Sequence, residues 1–204
     1  MPFLARRDVR SLVRKLGAHA RPSQQKEALF TIAGLSVFGG DSDTLVAIAS
    51  AGAIPPLVQL LGPGSSAEVR EDAAAALCNL AQHHDNQVAI AAAGAIPLLV
   101  QLLAPGISAN VQQNAAAALC HLAEHAGNAI TIAAAGAIPA LVQLLGSGSG
   151  DLAKEFAALA LKLLGHDIAE NRATIAAAGA SADVVVLEEM ERLGIYDDGH
   201  GKEE

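Results

Sequence analysis

The stretch Ala91-Ala92-Ala93-Gly94-Ala95-Ile96-Pro97-Leu98-Leu99-Val100-Gln101-Leu102-Leu103, AAAGAIPLLVQLL, carries no charge and is apolar enough to resemble a buried or even membrane-embedded segment. Nearly the same words stand at 50–61, SAGAIPPLVQLL, and at 133–145, AAAGAIPALVQLL. Aligned on glycine, Gly52, Gly94, Gly136 and Gly179 fall at steps of 42, 42 and 43 residues, which is an internal repeat. Glycine tolerates a sharp backbone break, and the prolines that follow it (Pro55, Pro97, Pro139) can sit in the first turn of a new helix without losing an internal hydrogen bond. The apolar run therefore reads as two helical pieces with a bend, written three times.

Outward from that phrase, each second helix is followed by a turn-rich segment, GPGSSAE at 62–68, APGISAN at 104–110 and GSGSGD at 146–151. An alanine/leucine pattern of longer helical period then resumes at 68–82, 110–124 and 151–164. One unit thus holds a short first helix, a second of about two turns and a longer third, with full units at 43–82, 85–124 and 127–165. The ends are weakened copies. Residues 9–16 and 23–38 serve as second and third helices of a partial unit spanning 9–38, and 170–178 and 182–194 as first and second helices of a partial unit spanning 170–194. The last unit reads Gly179-Ala180-Ser181-Ala182, without the Ile-Pro phrase. A period in the forties predicts an all-α helical solenoid of three full repeats plus partial repeats at both ends, because single repeats bury their apolar faces only by stacking. Residues 1–195 are expected to form that one domain, and 196–204 a disordered acidic tail.

Composition fits this reading. Aromatic residues make up 2% of the chain, so the interior must come from close helix contacts among alanines and leucines. The net charge of −8 argues against nucleic acid as a partner, since phosphates would be repelled. The charge is uneven. Residues 1–26 hold seven basic residues (Arg6, Arg7, Arg10, Arg14, Lys15, Arg21, Lys26) against Asp8, while the remainder holds six basic and twenty acidic residues. That polarity is suited to weak self-association, and the basic segment to capping the stack or to an autoinhibitory contact with the acidic body. Cys78 and Cys120 lie in matching helical phrases, LCNLA and LCHLA, as small core residues rather than a disulfide framework. Without a secretion signal or an uninterrupted apolar span, a cytoplasmic location, extending to the nucleus, and no integral membrane contact are expected.

The phrase Gly52-Ala53-Ile54-Pro55 with Leu57-Val58-Gln59-Leu60-Leu61, followed by an alanine-rich helix ending Leu77-Cys78-Asn79-Leu80-Ala81, resembles the armadillo-repeat family. The resemblance recurs at 94–123, more loosely at 136–164, and in weakened form over most of 9–194. It is loosely similar to the armadillo domains of vacuolar-protein, catenin and importin-alpha type scaffolds. It implies an armadillo-type, right-handed α-solenoid (an α-α superhelix) with a concave groove lined by third helices, in which an asparagine late in each helix bonds to the backbone of an extended peptide. The matching positions are Asn79, His121 and Leu163, with Val37 in the N-terminal unit, so that ladder is largely broken. Tryptophans that family members place one turn earlier are Ala75, Ala117 and Leu159 here, which removes the indole shelves for lysine stems and weakens a nuclear-import reading.

Along the third helices Glu68, Asp72 and Asn79 give way to Asn110, Asn114 and His121, then to Leu152, Phe156 and Leu163. Residues three or four apart share a helix face, so the candidate peptide-binding surface runs from acidic-polar through polar to apolar, unless Phe156 and Leu163 turn into the core. His83, His125 and Asp167 form a second column, but neighbouring helices about 8–10 Å apart cannot bring them to one metal ion. No metal and no cofactor is expected. Ser65, Ser66, Ser108, Ser147 and Ser149 lie in turns without a nucleophile elbow, and GPGSS lacks the lysine of a phosphate loop. The expected function is non-enzymatic: binding of a protein or an extended peptide across the third-helix face. The alternative is a structural piece of a larger repeat assembly that uses its end helices.

Overall fold

In the computed structural model, residues 6–17, 20–34, 42–146, 150–166, 168–180, 190 and 192–195 are described. The fold is all-α. A partial N-terminal unit supplies α1 (Arg6–Arg14) and α2 (Pro22–Gly34). The first full unit is α3 (Ser42–Ser50), α4 (Ile54–Leu60) and α5 (Ala67–Ala81). The second is α6 (His84–Ala92), α7 (Ala95–Gln101) and α8 (Ala109–Ala123). The third is α9 (Ala126–Ala134), α10 (Ala137–Gly146) and α11 (Asp151–Gly165), and α12 (Ala169–Ala180) follows. In the three full units helix order and lengths are those the repeat predicts. The chain groups into two compact units, residues 1–99 and 100–204, each a stack of these helices.

The bend in the quoted phrase has a backbone cause. Gly52, Gly94 and Gly136 adopt φ of 89°, 81° and 79°, left-handed values that any side chain strains to reach. Nothing lies within 4 Å of where their Cβ atoms would stand, so glycine is required there by conformation and not by space. Across the break, the helix ending at Ser50 and the one starting at Ile54 meet at 80°, and the pair flanking Gly136 at 79°. Among the described residues no single helix is long and apolar enough to cross a membrane. The last unit differs. Gly179 lies inside α12, one residue before its end at Ala180, where Gly52, Gly94 and Gly136 each stand past the end of their first helix; the residues after Ala180, where the expected break falls, lie outside those described. The expected second helix of that unit, 182–194, lies mostly outside the described residues, as do Val37, Asp167, Ser147, Ser149 and the tail from 196.

In unit 1, α2 packs on α5, α4 on α5, and α1 on α3. Helix α1 turns Val9 and Leu12 inward while Arg10 and Arg14 face solvent. The core is built from Leu29, Ile32, Ile48, Leu57, Leu77, Leu80 and Ile90. In unit 2, α11 lies along α8, and α10 against α11 and α12, around Leu119, Leu122, Ile132, Leu141, Leu161 and Leu164. Each such leucine or isoleucine contributes about 1.5–3 kcal/mol by leaving water. Fully buried alanines (Ala73 and Ala76 in α5, Ala157 and Ala160 in α11) let the third helices approach closely, which is how a chain so poor in aromatics fills its interior.

Candidate functional site

The third helices start where serine caps them. Ser66 accepts a hydrogen bond from the Val69 amide, and Ser108 from the Val111 amide, so these turn serines hold helix ends. Gly150 occupies the same place before α11 without a capping side chain.

In unit 1 the face of α5 is acidic. Glu68 forms an exposed ion pair with Lys26 of α2, and the Lys26 ammonium is pushed up mainly by that bond. Asp72, one turn on, is half-buried. Its carboxyl is held above the usual carboxylate range by burial first, then by Glu68 and Glu71, with Lys26 pulling the other way. Asn79 is placed differently from Glu68 and Asp72. It is only 6% exposed, and its amide Nδ2 donates to the carbonyls of Ala33 at 2.7 Å and Ile32 at 3.5 Å. Those carbonyls close the last turn of α2, where helical partners run out. The N–H groups expected to face a peptide thus hold α2 to α5.

In unit 2, Asn110 is exposed and Asn114 half-buried on α8. His121 is half-buried, with Nδ1 3.1 Å from Glu124 Oε1. Its ring centroid lies 6.5 Å from that of Phe156 on α11, tilted by 57°, a favourable aromatic arrangement. Phe156 and Leu163 do not join the core: both remain partly open, alternating along α11 with Leu152 at 52% exposure and Leu159 at 47%. At spacings of four, three and four these four residues make one apolar stripe along α11. The sequence reading held Leu152, Phe156 and Leu163 together, and Leu159 belongs with them.

The histidine column has a local explanation. His83 is the N-cap of α6, its Nδ1 accepting from the Asp85 amide at 3.3 Å, and His125 stands at the N-cap of α9. Among the described residues no three His, Cys, Asp or Glu side chains gather at a metal-binding distance. Burial pushes the Cys78 thiol up to about 12, so it stays neutral. A column that the sequence reading passed over does more for the fold. Asn86, Asn128 and Asn171 recur at the repeat spacing, all buried. Asn86 donates to the Leu80 carbonyl at 3.0 Å and Asn171 to that of Leu164 at 2.8 Å, tying each first helix to the end of the preceding third helix. Its signal was recurrence, visible by the same alignment that found the glycines.

A family model for the Armadillo/beta-catenin-like repeat matches residues 41–82 and 83–124, the first two full units. No curated protein sequence matches the chain. Among solved structures, an engineered protein is 31% identical, with a TM-score of 0.76 over 91% of this chain and 77% of its own. A designed armadillo repeat protein in complex with the peptide (KR)4 is 26% identical, with a TM-score of 0.78 over 93% of this chain and 82% of its own. Computationally designed armadillo repeat proteins for modular peptide recognition match at the same identity, TM-score and coverage. The scaffolds of this family are non-catalytic. With stacked three-helix repeats, left-handed glycines at the bends and these relatives in view, the chain belongs to the armadillo-repeat family.

Proposed function

We propose that the protein is an interaction module that binds an extended peptide segment of a partner protein on its third-helix faces. The observation that carries this reading is the apolar stripe of α11: Leu152, Phe156, Leu159 and Leu163 stay open to solvent beside the polar row Asn110, Asn114 and His121 of α8. Apolar side chains of a peptide lose water on that stripe, while the asparagine amides offer both donor and acceptor to its backbone. In unit 1 the α5 face takes cationic side chains through Glu68 and Asp72, and Asn79 contributes by holding α2 in place. Fluorescence anisotropy with two labelled peptides, an alternating Leu-Ser octapeptide and (KR)4, tests this. Phe156→Ala is expected to abolish binding of the first, and Glu68→Gln with Asp72→Asn that of the second. Binding of both peptides unchanged in these variants refutes the proposal.

A second reading, end-to-end packing in a larger repeat assembly, is favoured by one contrast. Leu159 stands 47% exposed where its counterpart Ala117 on α8 is 3% exposed. Sedimentation that shows a monomer at high concentration for wild type and Leu159→Glu alike removes that reading.

A further inference from the structure

At the C-terminal end of unit 2 lies a cavity of about 410 Å³ that the third-helix face does not include. Leu161, Ile175, Ala176 and Ile195 give it an apolar lining, and Lys162, His166 and Arg172 line it as well. No acidic side chain lines it among the described residues. That is unexpected from composition, because residues 100–204 hold five basic against thirteen acidic residues, and two of the five are here.

The repeat supplies an internal control. Lys162 occupies the position of Cys78 and Cys120, His166 that of Gln82 and Glu124, and Arg172 that of Gln87 and Ala129. Three columns that are neutral or acidic in the earlier units all become basic in the last one, and all three converge on one cavity. The Arg172 case separates structure from recognition. Gln87 donates through Nε2 to the Ala81 carbonyl at 3.1 Å at the end of α5. Arg172 makes the equivalent bond to the Gly165 carbonyl at 3.0 Å and donates to that of His166 at 3.1 Å, both through Nη1. A glutamine suffices for that latch. The guanidinium adds a full charge and covers two helix-end carbonyls that would otherwise repel an anion.

We propose that this cavity binds a carboxylate carried on an apolar body. The size suits a small organic ligand, the apolar lining takes its hydrocarbon portion, and Lys162, Arg172 and His166 take the charged head. Two sources share this chemistry: a free amphipathic acid, and the carboxylates of Asp197 and Asp198, which follow close behind Ile195 in the chain.

The test is calorimetric titration of the full chain with octanoate, with 1-octanol and inorganic phosphate as controls. Saturable octanoate binding is expected, weakened at least tenfold in Arg172→Gln and in Lys162→Gln, with no measurable binding of 1-octanol. Arg172→Gln restores the residue that makes the latch at Gln87, so its melting temperature should match wild type, and Lys162 is exposed. Absence of saturable octanoate binding, unchanged affinity in both variants, or equally tight binding of phosphate overturns the proposal. Asp197→Asn with Asp198→Asn distinguishes the sources. Tighter octanoate binding in that variant identifies the chain's own carboxylates as competitors for the cavity, and unchanged binding supports a free acid as its ligand.

Discussion

Replacing Asn79 by alanine separates a structural from a recognition role for the residue that aligns with the family's peptide-binding asparagine. The side chain is 6% exposed and donates to Ala33 O at 2.7 Å, with a weaker contact to Ile32 O at 3.5 Å. Truncation removes one short hydrogen bond and leaves a carbonyl at the end of α2 without that donor, which costs about 1–3 kcal/mol. A loss of about 2 kcal/mol in a chain of this size lowers the melting temperature by roughly 4–8 °C. Asn79→Asp should cost at least as much, since a carboxylate has no N–H to offer and faces two carbonyl oxygens. His121→Ala, at a half-buried position in the same column, should stay within about 0.5–1 kcal/mol of wild type. Urea unfolding gives the magnitudes, and amide exchange locates them: protection should fall first at the end of α2. Wild-type stability and α2 protection in Asn79→Ala, together with weaker peptide binding, would refute the argument and return Asn79 to the groove.

Other expectations are simpler to check. Gly94→Ala forces an alanine to φ near 81° and should cost about 1–2 kcal/mol by urea unfolding, despite open space around the new methyl group. Ser108→Ala removes the cap on Val111 and should cost about 1 kcal/mol, whereas Gly150→Ser should be neutral to mildly stabilising. The Asp72 carboxyl has a raised folded-state pKa, so its ionised form weakens the fold. That penalty is present above the folded pKa and vanishes as pH falls below the unfolded value. Asp72→Asn should therefore raise the urea midpoint at pH 7 and lose its advantage on acidification. The Cys78 thiol, pushed up to about 12, should react with a disulfide reagent at pH 8 far more slowly in the folded than in the urea-unfolded protein.

The fold was legible because its decisive features are local and recur. A left-handed glycine followed by a helix-starting proline leaves the same mark at 52, 94 and 136 whatever surrounds it. The site was harder to read. Asn79 and His121 share a column, yet one is drawn into the fold by the free carbonyls of α2 and the other meets Phe156. Which partner a side chain finds depends on the neighbouring helix, and that is not written in its own repeat. Gly179 shows the same limit: it is in register with Gly52, Gly94 and Gly136, yet it sits inside α12 and not at a left-handed bend.

Internal comparison sorts the repeat into two kinds of column. Gly52/Gly94/Gly136 and Asn86/Asn128/Asn171 keep one residue type, and where the bond is seen it closes a helix end or ties one helix to the next. A substitution there is felt by the fold, so these columns carry no information about a ligand. Columns 68/110/152, 72/114/156 and 78/120/162 change chemistry at every step or at the last one, from carboxylate to amide to hydrocarbon and from thiol to ammonium. Where they change, the stack tolerates the change because the side chains reach solvent, as Leu152 does at 52% exposure. Variation at a position whose backbone is held the same in each repeat is what a modular surface needs in order to present different groups to one ligand or several. The apolar stripe of α11 and the basic cavity are two places where such variation gathers, and both lie in the last full repeat and the helices that follow it.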